Sequence, residues 1–331
     1  MQQSVEISCV LGIDVGGTKV RFGLVDDTGD ILCSSQYASQ YMSADLWMER
    51  LLQHLMPFLH KYLEGYTLRA AGFGFRGSID SKGKKIRTSS VVYNYESCDV
   101  CAVLEQTLGV PVFVDNDVKA AALSELLFGE GRKNKTFACI NVGTGLAMGL
   151  IMDGTLIRGR YNNAGEIGNM LYERVETGEI LSVEAVASGW GIDQERKRVE
   201  QDMGPIPCEP GGKALLEACK QGCAGAEAVI SRVIRRLALI LLNLESALDI
   251  GTYILVGGVM SDPWMRQRLE KEIWLLSYQT QSGYFKWNAE LKLPRMGPDY
   301  AGLCGAAAVA YYKLGYSPDI FGIKDRVKEG I

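Results

Sequence analysis

The sequence predicts an α/β protein of two lobes, on three observations. Its 331 residues exceed one ordinary core and suit two domains of about 150 residues each. Short apolar runs with strand-like alternation are interleaved with longer stretches at helical spacing. The opening pattern of strand, glycine turn and strand returns in the second half. Ile13-Asp14-Val15-Gly16 aligns with Ile140-Asn141-Val142-Gly143, and a one-residue deletion then brings Gly149-Leu150-Ile151 opposite Gly23-Leu24-Val25. This reads as a weak internal duplication, although two unrelated hairpins would give a similar match, since short glycine turns recur in many sheets.

Each element follows from its local pattern. Ile7 to Val15, Val20 to Asp26 and Ile31 to Ser35 are strands of an antiparallel meander, with Gly16 and Gly17 in the first turn. Ser43 is placed to cap a helix whose apolar residues, among them Trp47, Leu51, Leu55 and Phe58, share one face. Leu68 to Phe75 is the next strand, and a lysine-rich loop follows around residues 81–85. Val110 to Val114 is a short strand, and Asp117 is placed to cap a helix over Val118 to Phe128. After the second hairpin, Val229 to Leu248 is a long apolar helix, Tyr253 to Val256 a strand, Gly257-Gly258 a turn, and a helix begins at Asp262. Gly204 to Gly212, with three prolines and three glycines, reads as an irregular insertion, and the alanine-rich Gly302 to Tyr312 as a closely packed helix.

Composition narrows the function. At 47% hydrophobic and 22% charged residues the chain is globular, which excludes disordered, collagenous and coiled-coil classes. Thirty-five Lys and Arg against 39 Asp and Glu leave a net charge of −4, so no basic excess points to nucleic acid or an anionic membrane. The nine cysteines are odd in number and scattered, which implies a reducing compartment and a cytoplasmic location. No signal-type h-region and no membrane-length apolar window is present.

Asp14-Val15-Gly16-Gly17-Thr18-Lys19 combines a carboxylate, two glycines, a hydroxyl and a cation, all suited to a polyphosphate. The glycines admit phosphate oxygens to backbone N–H groups, Thr18 adds a donor, Lys19 adds positive charge, and Asp14 can hold magnesium through water. Alone, such a turn is most often only a turn; Gly143-Thr144-Gly145 supplies the matching second loop. Asp115-Asn116-Asp117 ends a strand and opens a helix, where a carboxylate can take a hydroxyl proton and an amide can orient a polyol. From spacing alone Asp117 is equally well a plain helix cap, and Asp115 reads as a supporting residue. Cys98 and Cys101 lack a second pair or a histidine to complete a metal site, Cys219 and Cys223 read as one helix face, and His54 and His60 point apart on their helix.

Taken in order with Ala120-Ala121-Ala122, Ala164-Gly165-Glu166-Ile167-Gly168, Glu184, Ser188-Gly189, Val256-Gly257-Gly258-Val259, Ala301-Gly302 and Gly305-Ala306-Ala307, these motifs resemble the ROK family of sugar kinases and sugar-responsive repressors over nearly the whole chain. The resemblance implies an actin-like, hexokinase-type fold of two ribonuclease-H-like lobes around a central cleft. The first lobe would comprise residues 1–118 with 314–331 and the second 119–313, the final helix folding back onto the first. By the same resemblance Asp117 is the catalytic base, and Asn116, Glu166, Asn169 and Glu184 hold the sugar. Asp14, Gly16, Gly17, Thr18, Lys19, Gly143, Thr144, Gly145, Gly257 and Gly258 bind ATP, Asp14 also serving Mg2+ through water. The implied partners are ATP, Mg2+ and a sugar, with a homodimer as the family habit.

Departures from the family pattern are equally specific. The histidine of its usual zinc site is Asn169 here, and Met170 to Val183 holds no cysteine, so no structural zinc is expected. A glycine-proline-glycine element reads Gly74-Phe75-Arg76-Gly77, which makes Arg76 either a surface residue or an anion contact, the surface role being the commoner for arginine. The expected function is ATP-dependent phosphorylation of a hexose or N-acylated hexosamine. Its rivals are a sugar-sensing regulator, which would carry a DNA-binding segment of about 60 to 80 residues ahead of the first loop where only 13 residues precede Asp14, and a non-catalytic sugar-binding protein.

Overall fold

The computed structural model describes residues 7–80, 82–96, 98–279, 287–297 and 300–317. The expected first-lobe tail therefore lies outside the described residues from 318 onward. The chain divides into two compact units, one of Met1–Thr136, Gly149–Ala164 and Pro294–Ile331, the other of Phe137–Met148 and Gly165–Leu293.

In the first unit the meander forms as expected: β1 (Ile7–Val15), β2 (Lys19–Asp26) and β3 (Ile31–Ala38) pair antiparallel. A short β4 (Met42–Ser43) leads into α1 (Ala44–Tyr62). Ser43 occupies the N-cap position of α1, but its hydroxyl makes no capping hydrogen bond. Then come β5 (Tyr66–Phe75), the β6 (Gly77–Ile79) and β7 (Ile86–Ser89) hairpin, β8 (Val92–Tyr93) beside β4, α2 (Val100–Leu108), β9 (Val112–Asn116) and α3 (Asp117–Phe128). The sheet order is β3-β2-β1-β5-β9, with β1, β5 and β9 parallel.

Alternation along β1 and β5 decides what lies on each face of this sheet. Leu11, Ile13, Phe73 and Phe75 join Trp47, Leu51 and Leu55 of α1 in one buried cluster. The alternate positions include Gly12 and Gly72, which face α9 (Ala301–Lys313). A Cβ on Gly72 would stand 2.1 Å from the Ala306 carbonyl oxygen, and one on Gly12 2.7 Å from that of Leu303. Side-chain-free strand positions and an alanine-rich helix thus let two backbones approach directly.

The second unit begins with β10 (Phe137–Val142), which turns at Gly143-Thr144-Gly145 into β11 (Leu146–Met152). The end of β11 and β12 (Thr155–Leu156) form a hairpin of the first unit. Back in the second unit, β13 (Leu171–Arg174) and β14 (Glu179–Ser182) make an antiparallel hairpin. Helices α4 (Glu184–Ala187), α5 (Gly189–Met203), α6 (Gly212–Lys220) and α7 (Ala224–Leu248) follow, then β15 (Thr252–Val256), α8 (Pro263–Gln279) and β16 (Glu290–Lys292). Strands β10, β15 and β16 run parallel. Cys219 lies in α6 while Cys223 is the N-cap residue of α7, so the two do not share one helix face as the spacing suggested; the chain turns between them at Gly222, whose φ is +87°. All nine cysteines are free.

Candidate functional site

The two glycine turns close alike. Gly16 N–H donates to the Lys19 carbonyl at 3.1 Å, and Gly143 N–H to that of Gly145 at 3.1 Å. The second turn is one residue tighter, which accounts for the single deletion in the internal alignment. Gly17, Thr18 and Thr144 are exposed at their tips.

In the first unit, Asp14 and Asp117 come from the ends of β1 and α3 and repel one another. Burial, followed by the charge of Asp117, raises the Asp14 pKa to about 6, while Arg21 and Lys19 oppose the rise. Asp14 also packs on the start of α9, since a Cβ on Gly302 would fall 2.2 Å from its Oδ2. Asp117 is half-buried. It is the first residue of α3 and not its cap, contrary to the expectation from spacing: Asn116 is the N-cap, its Oδ1 accepting from Val118 N–H at 2.9 Å and Lys119 N–H at 3.4 Å. A cap sits outside the helix with extended backbone, and Asn116 has φ −61° and ψ 143°. The Asn116 amide donates to the Gly77 carbonyl at 3.1 Å, which anchors this turn to the β6 end.

Behind Asn116, Asp115 is fully buried and pairs with Arg158 Nη2 at 2.5 Å. Arg158 Nη1 donates to Asn162 Oδ1 at 3.2 Å, and Asn162 Nδ2 donates to the Ile79 carbonyl at 3.1 Å. Lys119 donates to the Asn162 carbonyl. Sequence reasoning found Asp115 as a support but missed Arg158 and Asn162, which lie more than 40 residues away in a segment without a motif. Arg76 is exposed, and its Nη1 lies 3.5 Å from where a Gly17 Cβ would be, so the guanidinium lies beside the first turn.

The second unit gathers the remaining residues. Glu184, at the start of α4, accepts from Leu146 N–H through Oε2 at 2.9 Å, and a Cβ on Gly145 would come within 2.5 Å of that oxygen. The 3-10 turn Ile167–Asn169 follows Glu166 and packs on this pair, because a Cβ on Gly168 would meet the Leu146 carbonyl at 2.4 Å and Glu184 Oε2 at 3.3 Å. Glu166 and Asn169 are exposed. The N-terminus of α5 takes up the carbonyls of the glycine turn: Gly189 N–H donates to Gly143 O at 2.7 Å and Trp190 N–H to Thr144 O at 3.1 Å. Gly257, at φ +94°, packs on the end of β10, where a Cβ would be 2.6 Å from the Val142 carbonyl oxygen.

Gly143, Thr144 and Gly258 then line a cavity of about 560 Å3 whose other walls include Trp190, Lys213 and Ile230. The lining combines apolar side chains with the ammonium of Lys213, a mixture of the kind that small-molecule sites carry. Trp190, Lys213 and Ile230 carried no sequence signal, since they belong to three helices joined only by folding. Among the described residues, no three His, Cys, Asp or Glu side chains gather as a metal cluster, and no helix is long and apolar enough to cross a membrane.

Two α/β units, each with a strand, glycine turn and strand hairpin, place this protein in the actin-like fold class. The crystal structure of a ROK family glucokinase from Streptomyces griseus in complex with glucose and AMPPNP aligns over 90% of this chain and 98% of that one, at TM-score 0.70 and 27% identity. The chain belongs to the ROK family, whose model matches residues 10–313. A glucokinase from Streptomyces coelicolor is 28% identical over 327 residues, covering 91% of this chain and 96% of its own. A xylose repressor from Caldicellulosiruptor bescii is 26% identical over 174 residues, covering 51% of this chain and 43% of its own.

Proposed function

We propose that the chain is an ATP-dependent sugar kinase whose acceptor is a hexose or N-acylated hexosamine. The carrying observation is the carboxylate pair of Asp14 and Asp117 beside the first glycine turn, with Asp117 left half-buried at a helix start. A phosphoryl acceptor needs a group that takes its hydroxyl proton as the oxygen attacks phosphorus, and Asp117 is that group. Asn116 fixes the turn by capping α3 and offers its remaining amide hydrogen to a sugar hydroxyl. Glu166, Asn169 and Glu184 hold further hydroxyls, while the cavity with Trp190 takes the adenosine and the backbone N–H groups of Gly17 and Gly145 take phosphate oxygens.

The Asp14 carboxylate is a hard oxygen donor of the kind a divalent cation takes. Asp14 would hold Mg2+ through water, where the ion would supply positive charge against the phosphates. Arg76, beside Gly17, adds positive charge to the same turn.

The test is ADP release across a panel of sugars, with Asp117→Asn as the variant. Turnover should fall by roughly 10²- to 10⁴-fold while sugar affinity by calorimetry stays within about twofold. Wild-type turnover in the variant would remove Asp117 from the reaction. Sugar binding without ADP release by the native chain would favour a regulator or binding protein.

A further inference from the structure

Away from the glycine turns, the second unit holds another cavity of about 650 Å3 between the β13–β14 hairpin, α5 and α7. It shares no lining residue with the cavity at Gly143. Five arginines line it, Arg174, Arg198, Arg232, Arg235 and Arg236, against the carboxylates of Glu176, Glu179, Glu195 and Asp202. Two of those carboxylates are already shared. Glu195, 1% exposed, takes Arg232 and Arg236 at 2.8 Å each and lies 3.8 Å from Arg174. Glu179 takes Arg198 at 3.0 Å and lies 3.5 Å from Arg174. The Arg174 contacts, Nε to Glu179 and Nη2 to Glu195, are ion pairs too long or misaligned for hydrogen bonds, so these two nitrogens and Nη1 of Arg198 are buried without a hydrogen-bonded acceptor. Orphaned guanidinium donors are uncommon in folded proteins and mark a place where an acceptor belongs.

We infer that this cavity is a second ligand site, for a small phosphate-bearing anion. Planar guanidinium forks match phosphate oxygens in pairs, and a phosphate group supplies the acceptors that the cluster lacks. The volume admits a phosphorylated sugar or a pyrophosphate-sized ion with water. The site also has a route to the sugar residues. Arg174 lies on β13, and the hairpin closes with Val183 N–H donating to Met170 O at 2.8 Å, one residue from Glu184 on one strand and from Asn169 on the other. An anion that draws Arg174 inward shifts the hairpin base and with it sugar affinity. Only this last effect rests on the kinase reading; anion binding does not.

The experiment is calorimetric titration of the full chain, saturated with AMPPNP, with inorganic pyrophosphate and separately with a hexose 6-phosphate. One saturable site per chain is expected. It should weaken tenfold or more in an Arg198→Ala/Arg235→Ala double variant and stay within twofold in Trp190→Ala, which alters the other cavity. Should the double variant fold poorly, Arg198→Lys/Arg235→Lys keeps the charge, removes the forks and still weakens binding. Tighter binding of the hexose phosphate assigns the site to a phosphorylated sugar, and tighter binding of pyrophosphate to a phosphoanhydride. Unchanged affinity in both double variants, or no saturable binding at millimolar anion, overturns the proposal. Loss of binding in the variants alongside a native chain that never releases ADP would leave this site standing and remove the kinase reading alone.

Discussion

Asp14 carries a proton-linkage signature that a single substitution can read. Its folded-state pKa of about 6 lies above the 3.8 of an ordinary aspartate, so the folded chain keeps this proton longer than the unfolded chain does. Below 3.8 the site costs nothing; as pH climbs from there to about 6 the folded state loses stability. Asp14→Asn should therefore denature like the native chain in acid and be more stable at neutral pH by roughly 1–2 kcal/mol, the half-buried position moderating the full shift. Urea midpoints across pH decide it: parallel curves for the two proteins would show that the burial penalty is absent. If Asp14 holds Mg2+ as proposed, protons compete with the ion for this carboxylate, and the Mg2+ concentration for half-maximal turnover should rise as pH falls below about 6.

Arg158 makes a different residue-scale case. Its partner Asp115 is 0% exposed, and Arg158→Ala would strand that charge in the interior. A loss of about 3–5 kcal/mol is expected in chemical denaturation. An Asp115→Asn/Arg158→Ala double variant should recover much of it, because the uncompensated charge is then gone. If the double variant is no better than the single one, Arg158 acts by packing and not by neutralising Asp115.

Elements were legible in proportion to the regularity of their pattern. α1 and α7 emerged within about five residues of their observed limits because one face of each is buried and the spacing records it, whereas β1 of the meander and α9 were marked by largely apolar or alanine-rich runs buried on both sides. The β13–β14 hairpin was not legible, since its residues are half-buried or exposed and no alternation marks a face. The start of α3 was misplaced by one residue: Asn and Asp both cap well, and only the backbone angles choose between neighbours. At Gly72 the packing of β5 against α9 makes a strong forecast. Gly72→Ala would drive a methyl group to 2.1 Å from a helix carbonyl that cannot rotate away. Destabilisation of about 3 kcal/mol or more should follow, against about 1–2 kcal/mol for alanine at Gly65, where a Cβ meets nothing within 4 Å and only the left-handed φ of +86° is strained. Thermal melts of the two variants make the comparison, and equal losses would mean that the α9 contact is looser than its geometry.

For the molecule as a whole, each unit carries its own glycine turn. The cavity at Gly143 is lined by the second unit alone, so under the proposed placement of adenosine there Trp190→Ala should raise the KM for ATP about tenfold and leave the sugar KM nearly unchanged. Saturating AMPPNP at about a hundred times its Kd should stabilise the native chain by about 2.7 kcal/mol, and the variant by less at the same concentration. An unaltered KM for ATP would place the base elsewhere.

The sequence by itself determined the class of fold, the two glycine turns and the identity of the acid-base candidates, because those features are local. A strand's alternation, a turn's glycines and a carboxylate next to an amide are written in adjacent residues. Tertiary structure alone decided which distant groups meet. It brought Arg158 to Asp115, Glu184 to the Gly145 turn, Arg76 to Gly17 and five arginines to one cavity. Charge pairing and desolvation depend on distances through space, and no spacing along the chain encodes them.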